Sequence, residues 1–195
     1  MSSKVAPFLS AISARRSIYA LKPELPSNIG IKDVQETVQT IIKETPTSFN
    51  SQTNRALILT GDVHKKVWDS VLNSIEGDSG KKRPTSIRDE AYGTVVFLVN
   101  DETTKAFQEQ FPIYASYFPP FAEHSTGAAQ ISSWTALELL GLGAHLQHYN
   151  DAVKAALPAG TVPDTWSVHA QLVFGAPVAP ATEKTYIENP VKILE

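Results

Sequence analysis

Residues Ser125–Tyr149, STGAAQISSWTALELLGLGAHLQHY, decide the fold. From Gly127 to Leu140 the stretch is apolar on nearly every face, and a helix that buries all its faces belongs in the middle of a domain. Ser125 or Thr126 can cap its start by accepting bonds from free backbone N–H groups, and Gly141 and Gly143 supply the backbone freedom that ends it. The predicted helix is roughly 20 Å long at about 1.5 Å per residue. Gln130, Ser132, Ser133 and Glu138 interrupt it, and it is too short for a membrane span. The segment after Gly143 is therefore delivered to the interior or to a cleft.

Working outward, Pro7 suits the first turn of a helix with Phe8, Leu9 and Ile12 on one face, closed by Arg15-Arg16. Ile31, Val34, Val38 and Ile41 recur at helical spacing, so 31–44 is an amphipathic helix ended before Pro46. ALILT (56–60) reads as a strand, and Asp62 as the cap of a helix carrying Val63, Val67, Val71 and Ile75. EGDSGKKRPTS (76–86) reads as a surface loop. GTVVFLVN (93–100) is a buried strand, and Asp101 a cap for a helix through Gln110. The rings Phe111, Tyr114, Tyr117, Phe118 and Phe121 are too many for an ordinary loop and cover a core or line a pocket. Asn150 caps NDAVKAAL. Val168, Ala170, Leu172 and Phe174 alternate along a strand with two distinct faces, and the proline-rich tail closes on the β-compatible VKIL (191–194). The fold class is α+β or α/β, a mainly antiparallel or mixed sheet flanked by helices, expected as a single domain over 1–195.

Composition narrows the function. Among 195 residues, 42% are hydrophobic, as in a globular chain. A net charge of −3 argues against a nucleic-acid binder, which needs a basic face. The absence of cysteine excludes thiolate nucleophiles and disulfides and fits a reducing compartment. The N-terminus lacks a signal-length apolar run, so a cytoplasmic chain off the membrane is expected, with the nucleus open as a second location.

No G-x-S-x-G, P-loop, G-x-G-x-x-G or H-E-x-x-H signature occurs. His145 and His148, three apart in a segment expected to be extended, would point to opposite faces, so no metal site is expected. Arg15-Arg16-Ser17, with Tyr19 soon after, can hold a phosphate; a solvated basic pair at a helix C-terminus is the other reading of the same residues. In SFNSQ (48–52) each polar side chain can donate and accept, which suits a ligand rich in carbonyls and ring nitrogens, or equally a self-satisfied turn.

RRSIY (15–19), TPTSFNSQTNR (45–55), AAQ (128–130) before an apolar helix ending GLG (141–143), and FGAP (174–177) with a late lysine stand in the order and approximate spacing of the flavin-dependent nitroreductases. The chain resembles that family over nearly its whole length. It is most similar to the compact fungal and bacterial branch associated with fatty-acid regulation in yeasts.

The resemblance implies an FMN-binding homodimer with swapped terminal segments and two sites, each built from both subunits. By position it puts Arg15, Ser17 and Lys184 on the FMN phosphate or ribityl chain, with Arg16 and Tyr19 alongside. Ser48, Asn50 and Gln52 would approach the flavin, some across the interface. Leu146, Gln147 and His148 would pass its edge and offer N–H groups toward N5. The implied activity is NADH- or NADPH-dependent reduction of nitroaromatics or quinones by ping-pong hydride transfer, with no catalytic side chain required. A flavin-binding sensor of lipid or stress signals with little turnover is the alternative. The chain departs from the family pattern in three places. Thr53-Asn54 replaces Pro-Trp, Tyr19 stands where many members have a basic residue, and Thr185-Tyr186 follows Lys184 without a second basic group. Lys81, Lys82 and Arg83 are the candidate substitutes for the missing charge.

Overall fold

A computed structural model describes residues 4–195; Met1 to Ser3 of the N-terminal segment read above lie outside them. The strands are β1 (Leu21–Lys22), β2 (Asn54–Thr60), β3 (Gly93–Asn100), β4 (Gly143–Gln147) and β5 (Trp166–Pro177). They form one sheet in the order β1-β5-β3-β2 with β4 also on β5, and every pairing is antiparallel. The helices are α1 (Ala6–Ala14), α2 (Ile31–Glu44), α3 (Gly61–Asn73), α4 (Lys82–Glu90), α5 (Asp101–Gln110), α6 (Phe118–Leu139) and α7 (Asn150–Ala156).

Successive side chains of a strand face opposite sides, and in β3 this splits the core in two. Val95 and Phe97 join Val34 and Val38 of α2 and Ala129 and Leu137 of α6. Val96 and Leu98 join Val67, Trp68 and Val71 of α3, Ile87 of α4 and Val153 of α7. The sheet is thus sandwiched between two helical layers, which is why GTVVFLVN is apolar without alternation.

The expected single face on β5 needs correction. Ala170, Leu172 and Phe174 face α2 and α6, but Val168 lies in the opposite cluster. Phe97 pairs with Ala170 and Leu98 with Val168, so the strand bulges at His169. One extra residue reverses the parity of what precedes it.

The central helix also differs from its expected limits. It begins at Phe118, nine residues earlier than expected, and runs 22 residues, roughly 33 Å at about 1.5 Å per residue. Pro119 and Pro120 fall in its first turn, where a missing N–H is no loss. Ser125 is not a cap; its Oγ donates to the Phe121 carbonyl at 2.9 Å. At the other end Leu142 N–H bonds Leu137 O at 3.0 Å and Gly141 N–H bonds Glu138 O at 2.9 Å, a Schellman closure with Gly141 at φ 84°. Nor does the helix bury every face: Ile131 and Leu139 are 46% and 69% exposed.

Smaller differences have local causes. EGDSGKKRPTS is not loop throughout, because α4 starts within it. Pro84 is tolerated in the first turn, and Ile87 is buried against α3, which outweighs the polar composition. Asn100 rather than Asp101 caps α5, its Oδ1 accepting from Thr103 N at 3.2 Å. Asp62 lies inside the first turn of α3, and Thr60 precedes that helix with no side-chain cap bond. Asn150 lies inside α7, where its Oδ1 accepts from buried Gln171 at 2.9 Å. Among the described residues the tail's VKIL pairs with no strand.

Two histidines are buried neutral. Burial lowers His64, outweighing the opposing bond between Nε2 and Ile87 O, and Lys65 adds to the lowering. Burial first and the Arg83 charge second push His145 down to about 3. Below about pH 6.5 the unfolded chain protonates these rings while the native chain does not, so stability is full above that pH and falls on acidification. Thermal melts are expected to drop from pH 7 to pH 5, where carboxylates titrate little, with a shallower slope for His64→Gln and His145→Gln. Slopes parallel to wild type would refute this.

Candidate functional site

Residues 15–20 leave α1 in extended form and pass the end of the sheet, with Ile18 N–H bonded to Ala144 O of β4 at 2.9 Å. The Arg16 N–H donates to Glu138 Oε2 at 2.7 Å, which ties this segment to the last turn of α6. Arg16 also donates a side-chain N–H to the Thr182 carbonyl, and Lys184 Nζ donates to Ser13 O at 3.1 Å. The Arg15 guanidinium lies 4.4 Å over the ring of Trp134 on α6.

Arg15, Arg16, Ser17, Tyr19 and Lys184 consequently line one cavity of about 430 Å³, with Thr182 and Pro180 on its far wall. Three cations, the hydroxyls of Ser17, Tyr19 and Thr182, and no carboxylate among the lining residues make a donor set suited to a phosphate monoester. All five sequence-derived residues of this group are therefore brought together.

Leu146 and Gln147 lie on β4 and His148 just beyond it. Gln147 Nε2 donates to Leu146 O at 2.7 Å and contacts His145 Nδ1 at 3.0 Å. Buried Gln171 fixes the turn that follows by accepting from Tyr149 N–H at 2.6 Å. His148 is exposed. Gly143 brings β4 close to its neighbours, since a Cβ there would sit 2.8 Å from Leu21 and 3.0 Å from Ile18. Its role is close packing of β4 rather than the expected helix termination, which Gly141 performs.

Ser48, Asn50 and Gln52 lie elsewhere. Ser48–Asn50 form a 3-10 turn before β2, and Phe49, Asn50 and Gln52 all have positive φ, at 56°, 52° and 48°. Such backbone costs about 1–3 kcal/mol per residue and persists where its surroundings impose it. Here Thr47 Oγ1 accepts from Gln52 N–H at 2.9 Å, and Arg55 donates to the Gln52 carbonyl at 2.7 Å. Phe49 packs on Phe111, Tyr114 and Phe118, which brings part of the expected aromatic group to this loop.

Phe49 therefore sits at the first residue of α6, and Arg16 at Glu138 in its last turn. The two halves of the expected site are separated by nearly the whole helix, roughly 30 Å at about 1.5 Å per residue. A single chain does not bring them together.

A model of the nitroreductase family matches residues 12–178. HBN1 of Saccharomyces cerevisiae is 61% identical over 98% of both chains, and the nitroreductase FRM2 of the same yeast is 55% identical over the same shares. The chain belongs to the nitroreductase family.

Solved nitroreductases share the fold. A crystal structure from S. cerevisiae matches with TM-score 0.85 and 57% identity, covering 89% of this chain and 97% of its own. Nitroreductase CinD of Lactococcus lactis in complex with chloramphenicol matches with TM-score 0.84 and 38% identity, covering 93% and 95%. A structure from Desulfovibrio desulfuricans in complex with FMN, at TM-score 0.68 and 20% identity over 95% and 98%, shares the fold.

For this nitroreductase, sequence reasoning missed Trp134, which seats Arg15, and Glu138, which holds Arg16. Both stood inside an apolar helix read as core filling. It also singled out Thr53-Asn54 only as a departure. Both residues are buried, and Thr53 Oγ1 and the Asn54 amide have no partner among the described residues. A buried polar pair beside the strained loop is the signal that was available.

Proposed function

We propose that the chain is an FMN-dependent NAD(P)H oxidoreductase acting as a homodimer whose two sites are each completed by both copies. The observation that carries this reading is the separation of Arg15–Tyr19 and Ser48–Gln52 to opposite ends of α6, so that two antiparallel copies would pair each half with its complement. Unburied apolar surface favours the same assembly. Helix α1 buries none of its residues, and Phe8 is 65% exposed. The tail exposes Tyr186, Ile187, Val191, Ile193 and Leu194. Among the described residues the outer edge of β2 is unpaired, and the groove between β2 and α2 has an apolar wall of Ile31, Val38, Ile42, Leu57 and Ile58 beside Gln35, Gln39 and Arg55. A partner's extended VKIL presents alternate apolar side chains and free backbone groups that suit this edge.

In that dimer Arg15, Ser17 and Lys184 hold the FMN phosphate and ribityl chain, with Arg16 and Tyr19 alongside. Leu146, Gln147 and His148 pass the flavin edge with N–H groups available to N5, and the partner supplies Ser48, Asn50 and Gln52. FMN, when bound, supplies the hydride chemistry, reduced by NADH or NADPH and reoxidised by a nitroaromatic or quinone in ping-pong order. The protein's share is placement, exclusion of water and electrostatics. The CinD complexes with chloramphenicol and with 4-nitrophenol support the nitroaromatic class.

Purified protein is expected to be yellow, to bleach anaerobically with NADH or NADPH and to recolour with a nitroaromatic. Yellow protein that does not bleach would favour the sensor alternative. Colourless protein that takes up no added FMN would overturn both.

A further inference from the structure

We propose that Glu138, through the backbone N–H of Arg16, is a positioning residue for the phosphate grip and sets the preference for phosphorylated over unphosphorylated flavin. The inference rests on the FMN reading above and assigns a task to a residue that this reading leaves idle.

Glu138 stands where a helix disfavours it. It is the second-last residue of α6, beside the negative end of the helix dipole, where a basic residue is preferred and a carboxylate is unfavourable. No ion pair among the described residues offsets this cost. Its bond is instead with backbone: Oε2 accepts from Arg16 N–H at 2.7 Å, across 122 positions of sequence. An ionised acceptor makes such a bond shorter and roughly twice as strong as a neutral one does.

The bond decides which way the segment after α1 faces. Arg16 N–H is held by α6, and Ile18 N–H by the Ala144 carbonyl of β4 at 2.9 Å. Between them the Ser17 N–H has no partner among the described residues, and Ser17 lines the cavity that Arg15, Arg16 and Lys184 surround. Successive groups of an extended segment point to opposite sides. Pinning both neighbours toward α6 and β4 therefore leaves the Ser17 N–H and hydroxyl to the cavity. Glu138 does not line that cavity. It lines a neighbouring one of about 610 Å³, with Gly141, Leu142 and Pro177. Its charge thus supports the donors from behind without facing the anion. Without the bond the segment is free to turn between Arg15 and Ile18, and the loss falls on the phosphate rather than on the flavin ring.

The test is fluorescence titration of the full-length, flavin-stripped protein with FMN and with riboflavin, which lacks the phosphate. Glu138→Ala is expected to raise the FMN dissociation constant about tenfold and to leave that of riboflavin unchanged. Glu138→Asp, one methylene too short to reach Arg16 N–H, should behave as Glu138→Ala. Glu138→Gln keeps the acceptor and should restore most of the FMN affinity. Combined with Ser17→Ala, Glu138→Ala should cost less than it does alone, because both changes act on the same donors. Equal losses of FMN and riboflavin would make Glu138 a general packing residue and overturn this inference alone. Wild-type FMN affinity in Glu138→Asp, or full additivity with Ser17→Ala, would also overturn it. The Asp and Gln variants carry the comparison if Glu138→Ala does not fold. Wild-type protein that takes up no FMN overturns the functional reading together with this one.

Discussion

A chain ending at Val178 is expected to sediment as a monomer and to lose its flavin. The removed segment carries Tyr186, Ile187, Val191, Ile193 and Leu194, all at least 79% exposed in the isolated chain. Fully burying one such aliphatic side chain against a partner stabilises the assembly by about 1.5–3 kcal/mol, and each 1.4 kcal/mol is tenfold in the dissociation constant. Losing several of them should weaken association by orders of magnitude. The same truncation removes Lys184 from the cavity and the Thr182 carbonyl that Arg16 engages. Ile193→Asp with Leu194→Asp separates the effects, because it disrupts the apolar end and keeps Lys184. Analytical ultracentrifugation reads the outcome, and a truncated chain that stays dimeric at micromolar concentration would overturn the swapped tail.

Arg15→Ala should raise the FMN dissociation constant about 10- to 150-fold, the value of a charge-assisted contact of about 1.5–3 kcal/mol. Trp134 holds that guanidinium at 4.4 Å, so Trp134→Leu should weaken FMN in the same direction by a smaller factor. The sharper experiment pairs two defective chains. On the proposed shared-site dimer, an Arg15→Ala chain and an Asn50→Ala/Gln52→Ala chain would each form homodimers with both sites damaged. A mixed dimer gathers both lesions in one site and leaves the other intact, so co-expression should recover flavin and turnover. Sites contained within one chain would give no recovery, because every chain then carries a lesion in its own site. Fluorescence titration of FMN in the purified mixed dimer decides between the two.

Much of the fold was legible because its signals are local. The i, i+3, i+4 pattern of Ile31, Val34, Val38 and Ile41 gave α2 its observed limits, 31–44. The β-branched run of GTVVFLVN marked the central strand, and Gly141 marked the end of α6. Errors arose where a distant contact decided a local outcome. Ile87 folds α4 out of a loop-like sequence by docking on α3, and the bulge at His169 moves Val168 to the other face.

For the site, the ordered motifs by themselves determined the family and the residues gathered around the Arg15–Lys184 cavity, because residue type and order are properties of the chain. Tertiary structure alone decided how those residues are used. It seated Arg15 on Trp134, Arg16 on Glu138 and Arg83 on Tyr19, pairings separated by 64 or more positions in sequence and without a periodic signature. It also set Ser48–Gln52 at the opposite end of α6. Distance in space follows from the length and direction of a packed helix, which no spacing along the chain records.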